Sequence, residues 1–229
     1  MEQKKTYTRR QRFTNWFYYN KIWVLACLVV LWVVGSMVWN VLGIGKVEPD
    51  CSFVYVGSRQ LPEDCVQALE QALASLAEDY NGDGTVAVAL TQCVSAPSGP
   101  MDNQMYGYGS QVTLLADITE NASHFFLLED PIAFQQNFQV LARLDGSAPE
   151  ERDYSAMDKV FRWENCPVLS SLELGSYADA YLDQLETGEN QELLKGLYLG
   201  RRYYYGDSAP EHLAQYEELW NTLTEGATQ

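Results

Sequence analysis

The chain has 229 residues, of which 47% are hydrophobic and 20% charged, a composition that excludes disorder of the whole chain. Acidic residues outnumber basic ones by 31 to 15, and after Lys21 by 30 to nine. A segment this acidic repels the phosphate backbone of DNA and RNA, so we do not expect nucleic acid as a partner.

A long apolar segment, residues 22–44, contains no ionisable group other than the thiol of Cys27. About 20 apolar residues in a helix span the hydrocarbon core of a bilayer. Six basic residues precede the segment, whereas Lys46 alone follows closely behind it. Because basic flanks stay in the cytoplasm, the sequence predicts a cytoplasmic tail at 1–21, a transmembrane helix at 22–44 and an extracellular C-terminal part.

A cleaved signal peptide is the alternative interpretation of this segment. Such peptides have about 7–15 apolar residues before a small-x-small exit. The present segment is longer, and Gly43 and Gly45 form only a weak exit. Trp16 and Trp23 lie near its N-terminal end and Trp39 lies near its C-terminal end, as in the aromatic belts of a spanning helix. The sequence therefore favours an uncleaved signal anchor in a bacterial-type membrane protein.

Four cysteines follow the apolar segment, in a compartment where disulfides persist. They allow three connectivities. A local bridge between Cys51 and Cys65 would leave Cys93 to pair with Cys166, and unpaired buried cysteine is the alternative. No CxxC spacing is present, so a structural zinc site is not expected.

The remaining residues are enough for one domain, predicted at 53–225 after a linker at 45–52. Residues 52–57 form an apolar run that predicts a strand. Pro62 suits the first turn of a helix, and apolar residues then recur at helical spacing. Residues 85–94 predict a central strand. This β-α-β order favours a parallel pair, and the fold class expected is α/β with a mainly parallel sheet flanked by helices.

Strand and helix signals continue toward the C-terminus. They predict a loop at 95–109, a helix at 110–118, a strand at 125–128, a helix from Pro131, a polar loop at 145–157, two short strands around Pro167 within 159–175, a helix at 176–185, a strand at 197–205 and a last helix that begins with Pro210 in its first turn.

Residues 111–145 combine an amphipathic helix, an apolar strand that runs into Glu129 and Asp130, and a helix that begins at Pro131. This order resembles the first lobe of the extracellular solute-binding proteins of ABC transporters. The resemblance implies that loops at the carboxyl ends of the strands hold a ligand, and that a single lobe supplies half a cleft. The matching positions here are Ser58, Arg59, Thr91, Gln92, Glu129 and Asp130.

A turn with Asp79, Asn81, Asp83 and Gly84 matches the opening of a calcium-binding loop. Position 12 of that loop should be a bidentate glutamate but is Leu90, which excludes an EF-hand. Two interpretations stay open: a looser calcium site completed by a distant carboxylate, or a polar turn in which Asn-Gly and Asp-Gly provide positive φ. Calcium is the only cofactor that the sequence suggests.

Neither His124 nor His212 lies in a nucleophile or metal motif, and the chain has no P-loop or G-x-S-x-G sequence. We therefore expect a protein that is not an enzyme. Arg201 and Arg202, followed by three tyrosines, form a basic-aromatic patch. This patch indicates either a contact with an anionic or sugar ligand or one wet face of a strand.

Together these patterns predict a single-pass protein with an extracytoplasmic binding or accessory module, associated with a transporter or with another membrane or envelope protein. The first alternative is a structural or assembly protein of the cell envelope with no small-molecule ligand. A hydrolase is the second.

Overall fold

The computed structural model describes residues 8–41, 48–94, 101–181, 184–206 and 208–229. The chain divides into two compact units, Met1–Val47 and Glu48–Gln229.

The first unit contains one long helix, α1 (Arg9–Val41). Within it, Phe13–Met37 is long and apolar enough to cross a membrane. None of this segment is buried, and large apolar side chains such as Leu31 and Trp32 are exposed. A helix that is apolar all round suits a membrane span. Its length, composition and position fit a membrane anchor and a signal sequence equally well.

The helix begins well before the predicted boundary at residue 22, so residues 9–21 of the predicted tail are helical. Residues 42–44, the predicted end of the span, lie outside the described residues.

The second unit is an α/β fold with a five-stranded sheet and a two-stranded hairpin. Its strands are β1 (Cys51–Gly57), β2 (Val88–Val94), β3 (Phe125–Leu128), β4 (Val160–Arg162), β5 (Ser176–Tyr181), β6 (Gln184–Glu189) and β7 (Tyr198–Arg201). Its helices are α2 (Glu63–Ala74), α3 (Met101–Glu120), α4 (Pro131–Phe138), α5 (Pro167–Ser170), α6 (Asn190–Leu194) and α7 (Leu213–Leu223), with a 3-10 turn at Trp163–Asn165.

The five-stranded sheet has the order β2-β1-β3-β7-β4. β1 is parallel to both β2 and β3, which confirms the predicted parallel β-α-β pair. β7 is antiparallel to both β3 and β4, so the sheet is mixed and the prediction of a mainly parallel sheet is wrong. The apolar run of β7 reads the same in either direction, and strand direction is therefore not encoded in its pattern.

Both faces of the sheet are covered because alternate side chains of β1 enter two different cores. Phe53 and Tyr55 belong to one apolar cluster, and Val54 and Val56 belong to the other. The first cluster is closed by side chains of α2 and α7, including Leu69 and Trp220, and the second by side chains of α3 and α4, including Leu114 and Phe134.

Three local predictions downstream of β2 are wrong. Residues 101–109 belong to α3 rather than to a loop; Gly107 is buried there, so packing overrides the low helix propensity of glycine. Residues 176–181 form β5 rather than a helix, because they pair with β6 in an antiparallel hairpin that local sequence does not reveal. The second strand expected around Pro167 is the short helix α5, with Pro167 at its first position.

The last helix, α7, begins three residues after Pro210, so that proline does not lie in its first turn.

All four cysteines of the second unit are buried free thiols, so the predicted disulfide pairing is wrong. Cys51, Cys65 and Cys166 belong to the first core, whereas Cys93 belongs to the second. A bridge between Cys93 and Cys166 would have to cross the sheet. Burial raises the pKa of the Cys166 thiol to about 11 and, together with Asp50, that of Cys51 to about 12. These thiols are therefore protonated at neutral pH.

Candidate functional site

An open cleft of about 710 Å³ lies where β1, β2 and β3 end. These three strands are parallel neighbours, so their carboxyl ends meet at one edge of the sheet. Ligand sites of open α/β sheets lie at such edges. The polar residues of the lining are Ser58, Ser110, Gln111, Glu129, Asp130 and Asn137.

The base of the cleft is apolar and well packed. Val56 and Val94 reach it from the strand ends, and Phe134 and Phe138 reach it from α4. The ring of Phe134 lies 4.9 Å from that of Phe126 and 5.1 Å from that of Phe138, measured between centroids. Aromatic pairs at such distances hold each other in place, so the base is preformed.

Glu129 ties together the segments that follow β1 and β3. Its carboxylate accepts hydrogen bonds from the backbone N–H of Ser58 and from the Ser58 hydroxyl, the latter at 3.0 Å. Its own backbone N–H donates to the carbonyl of Val56 at 3.0 Å. Bonds to both carboxylate oxygens orient this side chain at the rim of the cleft.

Asp130 begins α4. Its Oδ1 accepts a hydrogen bond from the backbone N–H of Ala133 at 3.0 Å, and Pro131 occupies the first helical position. An aspartate cap followed by proline is a strong signal for a helix start. The cap fixes the second carboxylate beside the cleft.

The other three residues predicted from the strand ends do not line the cleft. Thr91 and Gln92 lie within β2, which extends to Val94. Gln92 accepts a hydrogen bond from the backbone N–H of Leu61 at 2.7 Å and so fixes the start of α2. Arg59 is exposed, and its Nη1 lies 3.4 Å from a carboxylate oxygen of Glu186 in β6.

Sequence reasoning missed the residues that helices contribute to the cleft. Ser110 and Gln111 come from α3, and Asn137 comes from α4. One signal in the sequence is that these polar residues lie beside apolar ones on the same helix; Ser110, for example, is one turn from Leu114. This signal identifies the rim of the cleft only when the positions of the neighbouring strand ends are known.

The turn predicted to bind calcium makes internal hydrogen bonds. Asp79 accepts from the backbone N–H of Gly82 at 2.6 Å and from that of Gly84 at 2.8 Å, and Asp83 accepts from that of Thr85 at 2.8 Å. Gly82 and Gly84 have φ values of 74° and 85°. These contacts favour the interpretation as a polar turn.

Asn81, the third predicted ligand, also bonds within the turn: its side-chain oxygen accepts from the backbone N–H of Asp83 at 2.8 Å. In the part of the chain that the structure describes, no group of three or more His, Cys, Asp or Glu side chains could hold a metal ion. A calcium site at this turn stays a prediction.

A buried polar cluster lies beside β7, away from the cleft. His124 is buried, with its Nδ1 at 3.3 Å from the Tyr204 hydroxyl. Burial, together with the charges of Arg201 and Arg202, lowers the pKa of His124 to about 3. Its imidazole is therefore neutral at pH 7, and its contact with Glu217 is not an ion pair at that pH.

Arg201 and Arg202 themselves are both buried, contrary to the expectation of a ligand patch or a wet strand face. Arg201 is paired with Glu217, and Nη2 of Arg202 lies 2.7 Å from Oδ1 of Asp117. Their charges stabilise the fold and are not presented to solvent.

No protein family, curated protein or solved structure matches this chain. The residues and geometry of the cleft are therefore the basis for a functional proposal.

Proposed function

We propose that residues 48–229 form a binding domain that α1 anchors at the outer face of a membrane. The observation that carries the proposal is the cleft of about 710 Å³ at the carboxyl ends of three parallel strands. A concave, apolar site with a few oriented polar groups is the usual form of a ligand site. The domain is then an accessory or sensing module, comparable to one lobe of a solute-binding protein.

The orientation follows from charge. Six basic residues occur up to Lys21, whereas the segment after it is strongly acidic. The excess of basic residues on the N-terminal side of a span favours a cytoplasmic N-terminus. The domain then lies outside the cell, where it meets solutes and envelope proteins.

The lining supports binding rather than catalysis. Neither His124 nor His212 is among its residues. Cys93 lines the base, but burial and, to a smaller extent, Asp117 raise the pKa of its thiol to about 11. At neutral pH this thiol is protonated and a poor nucleophile.

A variant that fills the cleft tests the proposal. Ala133 is exposed and lines the cleft, so Ala133→Trp places an indole in its mouth. Ala214 is exposed on α7, which covers the opposite face of the sheet, and Ala214→Trp is the matched control. The measurement is the melting temperature of the full chain in non-ionic detergent, screened against amino acids, sugars and short peptides.

We expect at least one compound to raise the melting temperature of the wild type and of Ala214→Trp by a few degrees. A ligand at about ten times its dissociation constant stabilises by roughly 1.4 kcal/mol, which gives about 3–6 °C for a domain of this size. The shift should vanish in Ala133→Trp. A screen without any shift would instead support a structural protein without a ligand. A shift that persists in Ala133→Trp would also contradict the proposal, because the compound would then bind outside the cleft.

A further inference from the structure

The apolar lining of the cleft continues along the outer face of α3. Tyr108, Val112 and Leu115 follow one another at helical spacing and are 64%, 69% and 58% exposed. Leu115 also lines the cleft. These three side chains, here called the α3 stripe, extend the apolar surface beyond what a small solute in the cleft would cover.

The charge at this surface is negative. Glu129 and Asp130 line the cleft, and no lysine or arginine is among the described lining residues. The whole segment 48–229 has 30 acidic and eight basic residues. A surface of one sign attracts partners of the opposite sign and repels like ones.

We propose that the cleft and the α3 stripe together bind a basic, apolar segment of a partner protein. This inference rests on the proposed binding function and names the class of ligand. Apolar side chains of the segment enter the cleft and cover the α3 stripe, while its lysine or arginine side chains face Glu129 and Asp130. A second copy of this chain carries the same acidic charge and is repelled, as is an anionic lipid surface.

Both carboxylates can accept a cation in addition to their present partners. A carboxylate has about four lone-pair sites. Glu129 uses its oxygens for two bonds to Ser58, and Asp130 uses Oδ1 to cap α4. Because these bonds already orient the carboxylates, pairing with a lysine or arginine costs little further ordering.

The test measures fluorescence anisotropy of a labelled octapeptide of alternating lysine and leucine with the full chain in non-ionic detergent. Micelles alone are the blank, and a peptide of alternating glutamate and leucine is the charge control.

Three variants test the surface itself. Asp130→Asn removes one charge but keeps the cap of α4, because asparagine caps helices as well as aspartate does. Val112→Gln changes the α3 stripe at a residue outside the cleft lining. Glu173→Gln removes an exposed charge next to Leu174, which belongs to the opposite core, and is the matched control.

We expect the lysine-leucine peptide to bind and the glutamate-leucine peptide not to bind. Asp130→Asn should weaken binding by roughly two- to fivefold, the range for a solvent-exposed charge pair. Val112→Gln should weaken it by roughly three- to tenfold through lost apolar contact. Glu173→Gln should leave the affinity unchanged.

Equal binding of the two peptides, or unchanged binding to Asp130→Asn and Val112→Gln, would overturn the inference. A dimer of the wild type that Val112→Gln abolishes would also overturn the inference, because the occupant would then be a second copy. Binding to neutral lipid vesicles that Val112→Gln abolishes would overturn it as well, because the occupant would then be a membrane. If the lysine-leucine peptide does not bind, but a small solute still raises the melting temperature in a way that Ala133→Trp removes, the inference is wrong and the proposed function stands. If neither binds, both fail.

Discussion

At the scale of single residues, Arg202 joins three parts of the fold. Its Nε donates to the carbonyl of Ser123 at 2.6 Å, its Nη1 to that of Ile118 at 3.2 Å, and its Nη2 to Oδ1 of Asp117 at 2.7 Å. The last carbonyls of a helix have no partner within the helix. The guanidinium therefore fixes the end of α3 to the end of β7.

Replacing this side chain should be costly. Arg202→Met leaves the largely buried carboxylate of Asp117 without its charge partner, and breaking a buried pair costs about 3–5 kcal/mol. Denaturant unfolding gives the free energy directly. Arg143→Met is the control: its partly exposed ion pairs should contribute no more than about 1 kcal/mol. Similar losses in both variants would contradict the role assigned to Arg202.

His124 should make stability depend on pH. Its pKa is about 3 in the folded protein and about 6.5 in the unfolded chain, so the unfolded state binds the proton more readily. The contribution of His124 to the free energy of unfolding is then nearly full above pH 6.5 and is lost as the pH falls below that value. The free energy of unfolding should drop by about 2 kcal/mol between pH 7 and pH 5.

Asp153 is a second group that makes stability depend on pH, because hydrogen bonds from Lys159 and Ser155 lower its pKa. Its contribution to the free energy of unfolding is lost only below about pH 4, where the carboxyl of the unfolded chain becomes protonated. Unfolding at several pH values separates the two groups. His124→Phe should remove most of the slope between pH 7 and pH 5, whereas His212→Asn should keep it. An unchanged slope in His124→Phe would assign the effect to other groups.

At the scale of elements, the turn at residues 79–84 gives a clear prediction. Because the described part of the chain brings no group of three or more His, Cys, Asp or Glu side chains together around this turn, we expect millimolar calcium to leave the melting temperature unchanged. Asp83→Ala should lower it modestly through the lost bond to Thr85. A rise with calcium that Asp83→Ala abolishes would establish the calcium site instead.

The elements that local signals define were predictable. β1, α2, β3 and α4 have clear apolar runs or helix starts such as Pro131, and the structure confirms them. The first half of α3 was not predictable, because Gly107 is held in the helix by burial rather than by propensity. The direction of β7 was not predictable either, since it depends on the path of the preceding chain.

The same distinction applies to the cleft. Ser58, Glu129 and Asp130 follow strands whose parallel order could be inferred, and they line the cleft. Arg59 follows Ser58 after β1 but lies beside Glu186 of the hairpin, whose first strand the sequence predicted as part of a helix at 176–185. The α3 and α4 residues of the lining come from tertiary packing, which a single sequence does not encode locally.

At the scale of the whole molecule, we expect the folded domain to be held without disulfides. All four of its cysteines are free and buried in the structure. Alkylation in denaturant without reductant, followed by peptide mapping, should find Cys51, Cys65, Cys93 and Cys166 all modified. Any disulfide-linked peptide would contradict this arrangement.

The proposed function requires the C-terminal domain to lie outside the cell, because only there can a binding module meet envelope partners. Protease added to intact spheroplasts tests it most directly. We expect the protease to digest residues 48–229 while the N-terminal tail stays intact and α1 stays with the membrane. A C-terminal domain that the intact membrane protects from protease would contradict the account.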